Sequence, residues 1–180
     1  MRPLLIAFAA LSVACSSGSP SPGTSKPPST DPARALASLS TTEATTYCRE
    51  ALAYQSGRLS AEQTHRASCA FMGIMGSVGA TTDSEAQGKC KSSYDACLAA
   101  PAEGGGDGGE DPCQGFATKT SSCGTLTVAE MNACQEEQIT LLAKYAEPGL
   151  CSSITLHTPE TTIETPKCDV VQAKCPALLE

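Results

Sequence analysis

The amino-acid sequence predicts an all-α fold, a small disulfide-stapled helical bundle with long loops. Four segments begin with a helix-capping pattern, apolar residues follow each start at helical spacing, and ten of the eleven cysteines lie between residues 48 and 175. Strand patterns are scarce. Only residues 153–157 alternate polar and apolar side chains, and we expect this stretch to belong to a surface loop.

Each helix start carries a Ser or Thr followed three residues later by Glu or Gln, the pattern of a capping box. These capping residues are Ser40, Ser60, Thr82 and Thr127. The helices expected from them cover about residues 41–56, 60–78, 83–99 and 127–147. The second helix contains Gly73, Gly76 and Gly79, which could let another helix approach closely. An ordinary buried helix with weak ends is the simpler interpretation, since Gly lowers helix propensity.

Material for a hydrophobic core is limited, because the chain has no Trp, four Tyr and three Phe residues. A chain with so little large apolar surface needs cross-links, and an oxidising compartment permits them. Five disulfides are therefore expected among Cys48, Cys69, Cys90, Cys97, Cys113, Cys123, Cys134, Cys151, Cys168 and Cys175. Zinc is a poor alternative, since there is no C-x-x-C motif and the two histidines are isolated.

The cysteine spacing suggests two halves, which could be related by duplication or match by chance. Each half has cysteines 21 positions apart, followed by a pair seven positions apart. If the first three helices fold up-down-up, the favoured pairing is Cys69–Cys90 with Cys48–Cys97. In a rival pairing, Cys48–Cys90 with Cys69–Cys97, the paired cysteines are only slightly further from being level with each other along the helix axes. Carried to the second half, the pattern gives Cys134–Cys168 and Cys113–Cys175, with Cys123–Cys151 as the added bridge.

The first fifteen residues have the parts of an export signal. Arg2 supplies a positive charge, residues 3–11 are apolar and too short to span a bilayer, and small residues lead into Cys15. The run Leu11-Ser12-Val13-Ala14-Cys15 resembles the lipobox of bacterial lipoproteins, which implies lipidation of Cys15. It departs from that motif at Ser12, where the class prefers Leu. The alternative is an ordinary signal peptide, but lipidation leaves an even number of cysteines and is favoured.

Composition divides the rest of the chain. The predicted segments are a signal peptide (1–14), a disordered Ser/Pro tether (15–31), a helical disulfide half (32–100), a Gly/acidic linker (101–112) and a second helical disulfide half (113–180).

Removing the signal with Arg2 changes the formal net charge from −7 to −8, and there is no basic cluster, so nucleic-acid binding is not expected.

No catalytic residue, cofactor site or metal site is predicted. His65 and His157 are interpreted as solvated surface histidines, since neither has a nucleophile and a carboxylate at useful spacing. Met72 and Met75 lie near Cys69 like possible copper ligands, but methionines at helical spacing usually fill a core. The acidic glycine run within 104–111 is expected to be a linker rather than a calcium turn, because there is only one copy.

The capped helices, helical cysteines and closing Lys-Cys-Pro-Ala-Leu run resemble Cys-rich lipoproteins of unknown function in some Gram-negative bacteria, a resemblance that implies no activity. The leading hypothesis is a non-enzymatic envelope protein, anchored by lipid to a membrane facing the periplasm or the cell exterior, that acts by contacting an unknown protein. The alternative is a carrier of a small apolar ligand in an inter-helix cavity. An inhibitor or an enzyme of unfamiliar design is a third possibility.

Overall fold

The all-α prediction is confirmed by a computed structural model that describes residues 24–100, 111–158 and 165–178. Over these residues the chain forms two 3₁₀ turns, Leu36–Ser38 and Pro176–Leu178, and seven helices: α1 (Thr41–Arg58), α2 (Ala61–Gly76), α3 (Asp83–Ala99), α4 (Phe116–Ser121), α5 (Val128–Tyr145), α6 (Leu150–Ser153) and α7 (Pro166–Lys174). The only extended pairing in this part of the chain is an isolated bridge between Ala35 and Thr127. The predicted signal peptide, Cys15 and most of the linker 101–112 lie outside the described residues.

The capping boxes form where the sequence predicts them at α1, α2 and α5. At α1, the Ser40 backbone N–H donates to Glu43 Oε2 over 2.8 Å and the Glu43 N–H donates to Ser40 Oγ over 3.3 Å. Ser60 pairs with Gln63, and Thr127 with Glu130, in the same reciprocal way. Each box satisfies backbone donors that the first helical turn leaves without a partner.

The start of α3 follows only half of its predicted pattern. Thr82 Oγ1 accepts from the Glu85 N–H over 3.2 Å, as expected for a capping residue. The Glu85 carboxylate, however, accepts from the backbone N–H and the hydroxyl of Thr81, each over 2.8 Å, and not from Thr82. The reciprocal bond therefore shifts one residue toward the N-terminus.

The helices belong to two compact units. Unit 1 is described over residues 24–58, 111–137 and 165–178 and contains α1, α4, the first part of α5 and α7. Tyr47 lies at the centre of its core, 1% exposed, and its hydroxyl donates to Asn132 Oδ1 over 2.8 Å. The other buried members of this core are Leu36, Cys123, Leu126, Val128, Cys134, Val171 and Cys175. Half of the buried cluster is thus aliphatic side chains, and cysteines supply much of the remainder.

Unit 2 is described over residues 59–100 and 138–158 and contains α2, α3, the end of α5 and α6. Its larger core cluster consists of small side chains with one aromatic ring: Ala67, Ala70, Ile74, Tyr145 and Ala146. A second cluster joins Ala86 and Cys90 of α3 to Ile154. Residues 154–157 lie in a loop, as predicted, but Ser153 is the last residue of α6. The loop is not wholly at the surface, because Ile154 is only 1% exposed.

All ten cysteines outside the signal region form disulfides, but most of the predicted partners are wrong. The five bridges are Cys48–Cys113, Cys69–Cys97, Cys90–Cys151, Cys123–Cys175 and Cys134–Cys168. Cys134–Cys168 is confirmed. Cys69–Cys97 was present in the rival pairing, whose other bridge, Cys48–Cys90, is absent from the structure. The favoured pairs Cys69–Cys90 and Cys48–Cys97 are wrong, as are Cys113–Cys175 and Cys123–Cys151.

The predicted grouping into two halves is also wrong, because two bridges join residues of both halves. Cys48 of α1 bonds to Cys113 just before α4, and Cys90 of α3 bonds to Cys151 of α6. The physical reason is that α1, α2 and α3 do not form one up-down-up bundle. α1 packs with α4 in unit 1, whereas α3 packs with α2 and α6 in unit 2.

The predicted tether requires a correction for residues 24–31, which lie along α1. The Thr24 N–H donates to the Ala53 carbonyl over 3.1 Å, and the Ser29 N–H donates to Glu50 Oε2 over 2.7 Å. Gly57 faces the Thr24 backbone at a distance that leaves no room for a Cβ. Hydrogen bonds to the side of α1 therefore order residues 24–31, although this Ser- and Pro-rich stretch has little apolar surface to bury.

Candidate functional site

The candidate site is on α2 of unit 2, and its first feature is a group of three side chains, the sulfur–imidazole cluster: His65, Cys69 and Cys97. His65 and Cys69 are four residues apart and share one side of α2. Cys97, in the last turn of α3, is bonded to Cys69, and a ring nitrogen of His65 and both sulfur atoms all lie within 4.8 Å of one another. Cys69 is fully buried, whereas His65 and Cys97 are partly exposed.

Two glycines of α2 allow α3 to approach this site closely. A Cβ on Gly73 would lie 3.0 Å from the Cys90 carbonyl oxygen and 3.1 Å from Cys90 Sγ. A Cβ on Gly76 would overlap the hydroxyl of Ser93. The close approach, which the sequence offered only as a secondary alternative, is therefore what the structure has at Gly73 and Gly76. It places Cys69 and Cys97 with their Cα atoms 5.3 Å apart, a distance that suits a disulfide.

The second feature is an exposed apolar stripe, defined as Met72, Met75 and Val78. Their exposed fractions are 56%, 52% and 56%, and they account for three of the five exposed large hydrophobic side chains in the described part of the chain. Helical geometry places Ser68 on the same side of α2 as Met72 and Met75. The predicted use of Met72 and Met75 as core filling is wrong, because more than half of each side chain is exposed.

The structure changes the interpretation of His65. The sequence predicted a solvated surface histidine, and the structure places it beside a disulfide and half-buries it. The four-residue spacing of His65 and Cys69 within one predicted helix indicates that these two members of the sulfur–imidazole cluster lie close together. The sequence does not indicate the third member, because the favoured disulfide pairing assigns Cys97 to Cys48. His157 is exposed, as predicted.

The ionised side chains with displaced pKa values have structural roles. The hydrogen bond from Arg34, helped by those from Ser40, lowers the pKa of Glu43 to about 2. The hydrogen bond from Lys89, helped by those from Thr81, lowers the pKa of Glu85 to about 2. Both carboxylates stabilise helix N-termini, where negative charge is favoured.

A third polar group joins α1 and α5 within unit 1. Tyr54 donates a short hydrogen bond to Glu136, which raises the pKa of the Tyr54 hydroxyl. Arg58 lies over the Tyr54 ring, with its guanidinium carbon 5.6 Å from the ring centroid, and donates to the Tyr54 oxygen over 2.6 Å. This arrangement pairs every charge locally and fixes the end of α1.

Comparisons with protein-family models, with curated proteins and with solved structures find no match for this chain. Among the helices that the structure describes, none has both the length and the apolar character needed to span a bilayer.

Proposed function

We propose that this chain is an exported protein of the bacterial cell envelope, anchored by lipid on Cys15, that acts by binding another protein through the apolar stripe formed by the last turns of α2 and the turn that follows them. Its five disulfides indicate an oxidising compartment, the periplasm or the cell exterior, and this supports export. The exposure of Met72, Met75 and Val78 is the observation that carries the contact.

The chemistry of the stripe favours a partner with an apolar, uncharged surface. Methionine side chains are flexible and polarisable, and they are enriched at adaptable binding surfaces. The centres of protein interfaces contain few charges, and Ser68, Met72 and Met75 contribute none. The bridges Cys69–Cys97 and Cys90–Cys151 tie α3 to α2 and α6, so little ordering is required when the stripe is covered.

The anchor is tested by replacing Cys15 with Ser. Without the thiol no lipid can be attached, so the protein should leave the membrane fraction or accumulate unprocessed. Mass spectrometry of the mature N-terminus provides the direct measurement. Finding an unmodified Cys15 on the wild-type protein would contradict the anchor while leaving the proposed contact intact.

The contact is tested with Met72→Lys and a matched control, Val170→Lys, which adds the same charge at an exposed apolar residue of unit 1. Proteins captured from envelope membranes by the mature chain are identified, and the Kd of each is measured for the three forms. Full burial of a Met contributes about 1.5–3 kcal/mol, and Met72 is 56% exposed in the free protein, so covering it contributes about half of that. Met72→Lys should therefore weaken binding by roughly 4- to 20-fold through the lost apolar contact, and further through the charge it places in the interface. Val170→Lys should bind like wild type. If no captured protein distinguishes the two variants, the stripe is not the contact.

A further inference from the structure

We infer that the Cys69–Cys97 bridge is a latent metal site: when a dithiol opens it, the two thiolates and the imidazole of His65 bind a Zn²⁺ ion and link α2 to α3 through the metal. Throughout residues 24–100, 111–158 and 165–178, this is the one place where three ligand atoms of His, Cys, Asp or Glu lie within 4.8 Å of one another. This inference is independent of the contact proposed for the apolar stripe.

The geometry is close to that of a zinc site. Zn–S bonds of about 2.3 Å and Zn–N bonds of about 2.0 Å in a tetrahedron place the ligand atoms roughly 3.5–3.8 Å apart. In the closed bridge the two sulfur atoms are 1.99 Å apart, so after reduction they must separate by about 1.8 Å, roughly 0.9 Å each. The His65 nitrogen lies within 4.8 Å of both sulfurs, so it needs to approach by about 1 Å at most. His65 and Cys69 are one helical turn apart on α2, and Cys97 reaches them from α3, so the ligands come from two packed helices.

Three protein ligands leave the fourth zinc position open. Sites with three ligands and a water are the arrangement of catalytic zinc, whereas structural sites have four protein ligands. His65 and Cys97 are both partly exposed, so water and small ligands can reach the ion. Two thiolates and one imidazole also favour Zn²⁺ over the oxygen-preferring ions Mg²⁺ and Ca²⁺.

The chemistry of opening balances with one dithiol. A thiolate of the reductant attacks Sγ of Cys97, the partly exposed residue of the bridge, and Cys69 leaves as a thiolate beside His65. The second thiol of the reductant then displaces Cys97, so the reductant becomes a disulfide and two electrons pass to the bridge. Zn²⁺ takes up both sulfurs as thiolates and one neutral imidazole nitrogen, and the two thiol protons are released to water.

The other partly exposed bridges lack this chemistry. Cys168 is partly exposed, but its N–H donates over 3.0 Å to the carboxylate of Glu137, whose negative charge disfavours a thiolate there. Cys151 is partly exposed as well, and neither it nor Cys168 belongs to a group with a third ligand atom within 4.8 Å. While Cys69–Cys97 is open, Cys90–Cys151 still cross-links unit 2.

The experiment treats the oxidised mature chain with a limited amount of dithiol, removes the reductant anaerobically and maps the free thiols by alkylation and mass spectrometry. The sample with free Cys69 and Cys97 is titrated with Co²⁺, whose absorption reports tetrahedral geometry and thiolate ligands, and then with Zn²⁺. We expect one Co²⁺ per chain with both absorption signatures, displaced by Zn²⁺. Reoxidation should release the ion.

His65→Gln is the discriminating variant, because it leaves the bridge intact and removes only the nitrogen ligand. It should weaken Co²⁺ binding at least 10-fold, in line with the loss of a metal ligand. The double variant Cys69→Ser with Cys97→Ser, treated identically, should show no thiolate-to-Co²⁺ absorption, which excludes binding at the other bridges. The inference is overturned if chains with Cys69 and Cys97 mapped as free bind no ion, if His65→Gln binds as tightly as wild type, or if the bridge cannot be opened while the other four persist.

Discussion

Replacing Gly73 with Ala is expected to cost unit 2 at least as much stability as the higher helix propensity of Ala provides. The new Cβ would lie 3.0 Å from the Cys90 carbonyl oxygen, 3.1 Å from Cys90 Sγ and 3.3 Å from Tyr94 Cβ. A backbone oxygen and a sulfur held in the Cys90–Cys151 bridge cannot move aside like the end of a flexible side chain. The helices α2 and α3 must therefore separate, and overpacking of this kind costs about 1–3 kcal/mol.

Gly88→Ala provides a matched control on α3, because a Cβ there would meet no atom within 4 Å. Both substitutions gain about 1 kcal/mol of helix propensity, so the difference between the two variants isolates the packing cost. Gly88→Ala should be about 1 kcal/mol more stable than wild type. Gly73→Ala should be less stable than Gly88→Ala by about 1–3 kcal/mol, the whole of the overpacking cost.

Urea unfolding of the oxidised protein, followed by far-ultraviolet circular dichroism, measures this difference. Both substitutions are in unit 2, so they report on the same part of the molecule. At an m value of about 2 kcal/mol/M, a difference of 2 kcal/mol separates the unfolding midpoints by about 1 M. Equal midpoints for the two variants, both above that of wild type, would refute the close contact between α2 and α3.

Two further predictions concern unit 1. Arg34→Met removes the main cause of the low pKa of Glu43 and should raise it from about 2 toward 4.5. In the wild-type protein, ionised Glu43 contributes stability above pH 4.5, and this contribution is lost as the pH falls through the pKa of Glu43 in the folded state. In the variant, the folded-state pKa is higher, so the contribution should be lost at a higher pH. An NMR titration measures the pKa, with Glu85 as a reference that should not move; an unchanged Glu43 value would contradict the pairing. Replacing Cys48 and Cys113 together with Ser opens a bridge spanning 65 residues and should cost about 4 kcal/mol in urea unfolding, and a loss below about 1 kcal/mol would show that this bridge does not restrict the unfolded chain as proposed.

The helix positions were predictable because their signals are local. The capping box at Ser40 and Glu43 starts α1 where expected, and the helix expected over about 41–56 is Thr41–Arg58 in the structure. Similarly, α3 was expected over about 83–99 and extends over Asp83–Ala99. A hydrogen bond between residues three apart depends little on the rest of the fold, so it can be read from the sequence.

The partners of the helices were not predictable by the same reasoning. The level of each cysteine along a bundle was estimated by assuming that consecutive helices pack together. That assumption holds for α2 and α3, which share Cys69–Cys97, and fails for α1, whose Cys48 bonds to a residue 65 positions away. Cys134–Cys168 was predicted correctly, although the repeat of cysteine spacing that led to it does not correspond to two structural halves.

The remaining differences also come from contacts between distant residues. Glu50 accepts hydrogen bonds from Ser29, 21 residues away, and orders part of a stretch whose composition predicts disorder. His65 acquires its chemical environment from Cys97, which belongs to another helix. Neither contact leaves a pattern in the sequence around the residue concerned.

The order in which the cysteines pair has a consequence for how the protein is made. Counted along the chain from Cys48, the first pairs with the fifth, the second with the fourth, the third with the eighth, the sixth with the tenth and the seventh with the ninth. No bridge joins two consecutive cysteines. A chain delivered N-terminus first would present Cys69, Cys90 and Cys97 to Cys48 before Cys113 arrived, and rapid oxidation would trap those pairs. For the exported chain proposed above, we expect correct assembly to need an isomerase that breaks early bridges by thiolate attack, or an oxidant that acts only after translocation is complete. The yield of folded protein should then depend on reshuffling capacity more than on oxidising power.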